Sequence, residues 1–219
     1  RNMTKGPAMT REEAIQAIET GIRVVRELKA QGYQIVATGE MGIGNTTTSS
    51  AMAAVFLGVP VEMVTGRGAG LSTSGLTKKI TAIHKAIQVN QPDKTDGIDV
   101  LAKIGGFDLA GMAGVFLGGA AEGIPVVIDG IISEAAAMAA SVICPKCVHY
   151  MLASHLSKEP AAQMLLERLG LEAMLDCDMH LGEGTGAITL FPILDLACAV
   201  YNSMSTFEEA SIEQYEHLS

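Results

Sequence analysis

The 219-residue sequence has no tryptophan, and aromatic residues make up only 4% of it. A core of bulky rings is thereby excluded. With 48% hydrophobic residues and 24 glycines, the interior must be aliphatic and Ala/Gly-rich. Such a composition suits parallel α/β proteins, whose strands are covered on both faces. Basic runs are missing as well: 15 Lys and Arg stand against 24 Asp and Glu, for a net charge of −9. Without clustered cations there is no footprint for a nucleic-acid backbone. A small anionic ligand is still within reach, because one or two cations and a helix N-terminus can bind it locally.

Long uninterrupted apolar runs are also scarce. The longest apolar region, about 109–143, is broken by Glu122, Asp129 and Glu134, so no membrane span is expected. Four cysteines in a chain of this length do not make a disulfide scaffold, which fits a reducing, cytoplasmic setting. Cys144-Pro145-Lys146-Cys147 is at most half a zinc site, since Cys177 and Cys198 stand alone, and its thiols read as inert. Arg1-Asn2-Met3-Thr4-Lys5 leads into a capped helix rather than an apolar run, so it is no signal peptide. The sequence does not begin with Met and starts almost inside that cap, and more sequence is expected upstream.

What is present is a strand–loop–helix rhythm. Thr10-Arg11-Glu12-Glu13 is a capping box, and the helix after it should end near Gly32. Tyr33 to Thr38 and Val59 to Val64 read as strands, as do Ile124 to Asp129 and Val148 to Ala153. Thr46 to Leu57, Ser74 to Val89, Ile98 to Lys103, Leu109 to Glu122 and Ser133 to Ile143 read as helices. Pro160 opens a helix that stops at Gly170. From Leu171 onward the pattern is helical only, with Thr185 to Met204 as one helix and Thr206-Phe207-Glu208-Glu209 as a second capping box. The expected fold is a Rossmann-like parallel sheet flanked by helices, residues 1–169, followed by a small all-helical part, 170–219, that carries its own glycine loop.

Three glycine-rich loops concentrate the chemistry. Gly39-Glu40-Met41-Gly42-Ile43-Gly44-Asn45-Thr46-Thr47 has neither the Walker spacing nor the dinucleotide spacing. Its freed N–H groups at a helix N-terminus would still suit a phosphate or carboxylate. Glu40 would repel a phosphate, so it faces sugar hydroxyls or a developing cation. Gly66-Arg67-Gly68-Ala69-Gly70 offers a second anion site, with Lys78 and Lys79 a turn into the next helix, one to reach a phosphate and one to be solvated. Leu181-Gly182-Glu183-Gly184-Thr185-Gly186-Ala187 places a carboxylate between glycines. Alone, the first loop reads equally well as a plain helix entry with an exposed acid, and the 181–187 loop reads more readily so. In open parallel sheets, however, ligands bind beyond the carboxyl ends of the strands. Loops 39–44, 66–70, Asp129-Gly130 and Ser154-His155 would share that rim, with Glu183 as general acid or base.

The ordered set of these motifs, with Ser154-His155 and the Met204–Ala210 tail, resembles the nicotinate-nucleotide–dimethylbenzimidazole phosphoribosyltransferase family over essentially the whole chain. Family chains are longer, and this one is similar to their C-terminal three-fifths. The resemblance implies transfer of the phosphoribosyl group of nicotinate mononucleotide to 5,6-dimethylbenzimidazole, giving α-ribazole 5′-phosphate and nicotinate in cobalamin biosynthesis. It implies Glu183 as general base. It further implies substrate contacts at Glu40, Gly42, Gly44, Asn45, Thr46, Gly66, Arg67, Gly68, Gly70, Lys79, Leu181, Gly182 and Gly184. No metal or redox cofactor is required, and the expected partners are the two small-molecule substrates and a second copy in a homodimer. His180 stands where the family suggests Arg, and Ala69 where Thr is common. Two other readings compete: a nicotinamide-cofactor oxidoreductase that uses the first loop for pyrophosphate and Glu62 for ribose, and a nucleotide-sensing module without turnover.

Overall fold

The computed structural model describes residues 1–68 and 70–213. The first capping box forms: the Glu13 amide donates to Thr10 Oγ1, and the Thr10 amide donates to Glu13 Oε2. Helix α1 (Arg11–Ala30) follows and buries Ala14, Ile18, Gly21 and Val25 along one face. Its single glycine matters, because a Cβ on Gly21 would overlap Gly111 O of the opposing helix. That helix, α6 (Phe107–Glu122), therefore lies against α1 at backbone contact distance.

Three short parallel strands form the sheet, in the order β1 (Val36–Ala37), β2 (Val126–Ile128) and β3 (Met151–Ala153). Val36 pairs with Val126, and Val126 in turn with Met151. Parallel neighbours need long crossovers. Between β1 and β2 run α2 (Thr46–Leu57), α3 (Val61–Val64), α4 (Thr73–Asn90), α5 (Gly97–Ile104) and α6. Between β2 and β3 run α7 (Ile131–Ile143) and a 3-10 helix, Pro145–Tyr150. The period-2 pleat sends Val126, Ile128 and Met151 into the main core with α6 and α7. Val127 faces the other way, with Ala37 and Leu152, against Ala187 and Leu190 of α9 (Thr185–Ser203). This two-sided cover explains the unbroken apolar run of β2. The fold is α/β, a parallel sheet flanked by helices.

The expected strand at Val59–Val64 is instead α3. Pro60 sits at its N-cap, and Val61 and Val64 are buried while Glu62 and Met63 are exposed. That spacing is a helical turn, not an alternation. The stretch after α8 (Ala162–Leu169) is also not helical throughout: Leu175 makes an isolated parallel bridge with His155. The second capping box forms, with the Glu209 amide on Thr206 Oγ1, yet Phe207–Ser211 is a turn rather than a helix. By length and composition α9 could cross a membrane, a test that core helices of other proteins also pass. Here Gly186, Ala187 and Leu190 are buried against the sheet, while Ile188, Leu196, Val200 and Tyr201 are exposed.

Candidate active site

The end of β1 is pinned to β2, since Thr38 donates to Val127 O through both its amide (3.0 Å) and its hydroxyl (2.9 Å). Gly39 follows, and a Cβ there would lie 2.5 Å from Gly184 N. Only a glycine lets these two loops meet backbone to backbone. The Glu183 amide then donates to Glu40 O at 2.9 Å. Together the loops wall an open cleft of about 370 Å³, lined by Ala37, Thr38, Gly39, Glu40, Met41, Glu183, Gly184 and Ile188. The two glycine-embedded glutamates, 143 positions apart by the difference of their numbers, share this cleft. Glu183 itself has φ +59°, between Gly182 and Gly184 at +78°. A glutamate in the left-handed region costs about 1–2 kcal/mol. Its side chain is exposed.

Beneath the loop lie three buried polar residues that follow β2 and β3: Asp129, Ser154 and His155. Asp129 Oδ2 accepts from the Gly184 amide at 3.0 Å and Oδ1 from the Ala187 amide at 3.2 Å. Ser154 Oγ donates to Ile128 O at 2.6 Å and lies 3.0 Å from His155 Nδ1. A hydroxyl has one proton and a carbonyl has none, so His155 must donate from Nδ1 to Ser154 Oγ. Burial pushes the His155 pKa down, against the opposing charge of Asp129, which keeps the ring in that neutral tautomer. One turn into α7, Glu134 is fully buried, and its carboxyl oxygens have no hydrogen-bond partner among the described residues. Burial first, and Asp129 second, raise its pKa to about 8, so Glu134 holds its proton at neutral pH.

At the Thr46 end of the first loop stands the cationic half. Lys79 is buried, and its ammonium donates to Thr46 Oγ1 and to Gly66 O, each at 3.0 Å. Burial lowers its pKa, against the opposing pull of Glu159. Lys78, its neighbour, is exposed. Gly68 packs with its Cβ position 2.9 Å from Thr46 Oγ1, so the second loop folds onto the start of α2. No side chain caps α2 at Asn45, whose amide nitrogen instead donates to Asp108 at 2.7 Å. The first amides of α2 are therefore available to an anion.

The structure thus brings Glu40, Glu183 and Gly184 to one cleft, and Thr46, Gly66, Gly68 and Lys79 to a second cluster, with the Gly42–Asn45 segment between them. Leu181 and Gly182 border the cleft loop, Leu181 being exposed. Two expected residues sit differently. Arg67 turns back on its own loop, donating to Leu71 O at 2.8 Å and to Thr73 Oγ1 at 3.3 Å. Loop 66–70 follows a helix, not a strand, so it reaches the site through Lys79 and Thr46 rather than along the sheet rim. Glu62 lies on α3, exposed and 2.7 Å from His84, away from any strand end where a ribose-binding acid would be needed. His180 is exposed, its Nδ1 3.1 Å from Asp178 O; Ala69 lies outside the described residues. Cys147 is buried, its thiol pushed up to about 12 by burial, while Cys144 is exposed. The residues that sequence reasoning placed only at strand ends, Asp129 and His155, prove to support the Glu183 loop. Their signal was the strand-end position alone.

Known proteins resemble the chain over nearly its whole length. A family model described as "Phosphoribosyltransferase" matches residues 1–212. The chain is 54% identical over 217 residues to the nicotinate-nucleotide–dimethylbenzimidazole phosphoribosyltransferase of Ruminiclostridium cellulolyticum, covering 99% of this chain and 62% of that one. It is 53% identical to the protein of the same name from Acetivibrio thermocellus, covering 98% and 61%. The crystal structure of CobT from Thermus thermophilus superposes with a TM-score of 0.89 at 40% identity, over 98% of this chain and 64% of that one. The chain thus spans about three-fifths of the length of the curated relatives it matches. It belongs to this family of phosphoribosyltransferases, the nicotinate-nucleotide–dimethylbenzimidazole type.

Proposed function

We propose that the full-length protein moves the phosphoribosyl group of nicotinate mononucleotide to 5,6-dimethylbenzimidazole. One ring nitrogen of the base attacks the anomeric carbon as the bond to nicotinate breaks, with inversion. Glu183 takes the proton from the other ring nitrogen, a step worth about 10²–10⁴-fold in rate. The leaving group departs from a pyridinium and needs no strong acid. Glu40, across the cleft, faces the positive charge that develops on the ribose ring. Lys79, Thr46 and the N-terminus of α2 hold the 5′-phosphate. The observation that carries this reading is the meeting of two glycine-embedded glutamates, backbone to backbone, in one open cleft.

The rest of the proposal concerns assembly. Residues 1–169 would form the nucleotide-binding part and 170–219 a helical segment of a smaller part, in a cytoplasmic homodimer. The exposed apolar side chains further along α9, Leu196, Val200 and Tyr201, support a face that is covered in the whole protein. Incubation of the full-length protein with both substrates tests the reaction. Equal amounts of nicotinate and α-ribazole 5′-phosphate are expected by mass spectrometry. Tight binding of NAD with no transfer product would overturn it.

A further inference from the structure

Residues 182–184 are three successive left-handed residues, at φ +78°, +59° and +78°. Regular structure does not hold such a run, since left-handed residues normally occur singly. The loop needs an outside restraint, and its bonds identify it. The Glu183 amide and Glu40 O join one loop to another, and the Thr185 amide and hydroxyl both donate within the loop, to Gly182 O. Asp129 is different: it is 2% exposed, it is anchored at the end of β2, and it spends one carboxylate oxygen on each of two loop amides, Gly184 and Ala187. α9 has a glycine at its N-cap and no side-chain cap of its own, so Asp129 fills that role from 55 residues away. His155 closes the other side, because its ring occupies the place a Cβ on Gly186 would take. The loop can neither lift from Asp129 without exposing two amides nor sink past His155.

We infer that Asp129 is the positioning residue for Glu183, acting through the amides on either side of the α9 entry rather than on substrate. It is absent from the residues lining the cleft. The inference rests on the reading of Glu183 as the base. An asparagine at 129 keeps one acceptor but turns an NH₂ donor toward the second loop amide, so one bond becomes a donor–donor contact. Buried polar groups left unpaired in this way are costly, and the loop should loosen.

The experiment uses the full-length protein with Asp129→Asn and Asp129→Ser, and Glu134→Gln as the buried neighbour that bonds to no loop amide. Hydrogen exchange is read without ligand, and kinetics are read with both substrates. For the Asp129 variants, exchange at 183–187 should quicken about ten-fold or more while α7 and β2 keep their protection, and kcat should fall roughly 10–100-fold with KM for nicotinate mononucleotide within about three-fold. Glu134→Gln should leave loop exchange as in the wild type. Unchanged exchange at Gly184 and Ala187 would overturn the inference. So would a loosened loop with unchanged kcat, or protection lost evenly across the fold. Should one variant fail to fold, the other decides by the same readouts. If the unaltered protein transfers no phosphoribosyl group, the proposed function fails, and the exchange data alone judge the clamp.

Discussion

Glu183 and Lys79 stand at opposite ends of the Gly39–Thr46 segment, and their surroundings are opposite too. The Glu183 carboxylate is exposed, on a loop held by backbone contacts to Gly39 and Glu40 and by Asp129 from below. The Lys79 ammonium is buried and already bonded to Thr46 and Gly66, with its charge partly disfavoured by burial. A buried cation is costly unless paired, and an arriving phosphate would complete its pairing. An exposed acid has no such need, but its position must be fixed by the backbone that carries it. Under the function proposed above, the contrast is a division of labour: the cationic half would be preformed for binding, and the acidic half would be a positioned group for the chemical step.

The first way to test that contrast is Glu183→Gln in the full-length protein. It should lower kcat about 10²–10⁴-fold and leave KM for nicotinate mononucleotide nearly unchanged. Steady-state kinetics check this, and near-wild-type turnover would remove Glu183 from the base role.

Glu134, below the acidic half, gives the next effect through pH. Its folded pKa of about 8 lies above the ordinary 4.5, so the folded state holds the proton over a wider range. Its contribution is therefore full below about 4.5 and is lost as pH rises through 8. Glu134→Gln should raise stability on the order of 3 kcal/mol at pH 9 and change it little at pH 5. Urea melts at the two pH values check the sign. A variant equally destabilised at both would show that Glu134 is not a neutral buried acid.

On the cationic half, Lys79→Met should raise KM for the mononucleotide roughly 10–100-fold with a smaller change in kcat, the mark of lost uniform binding. Lys78→Met should alter either constant less than about two-fold, as befits a solvated side chain. Equal effects from the two lysines would erase the distinction between them.

Much of this was legible in sequence where local chemistry decides structure. Thr10 with Glu13 gave the start of α1, and Thr46–Leu57 with Gly58 gave both ends of α2, the glycine closing it at φ +68°. The misreading at Val59–Val64 shows the limit. Val59, Val61 and Met63 alternate like a strand, while Val61 and Val64 are spaced like a helical turn; a run this short does not choose, and Pro60 with packing against α2 and α4 did. The choice between Lys78 and Lys79 was within reach, since Lys79, Ile83, Ala86 and Asn90 fall on one buried face. Asp129 was not. Its partners Gly184 and Ala187 lie 55 and 58 residues away, and no local pattern announces a cap delivered from another element. The turn of Arg67 onto Leu71 O is likewise a product of loop packing.

The division of labour is tested most directly by calorimetric titration of nicotinate mononucleotide into the full-length protein, Glu183→Gln and Lys79→Met, side by side. Glu183→Gln is expected to bind like the wild type and Lys79→Met roughly 10–100-fold more weakly. Unimpaired binding by Lys79→Met, with binding lost in Glu183→Gln, would contradict it.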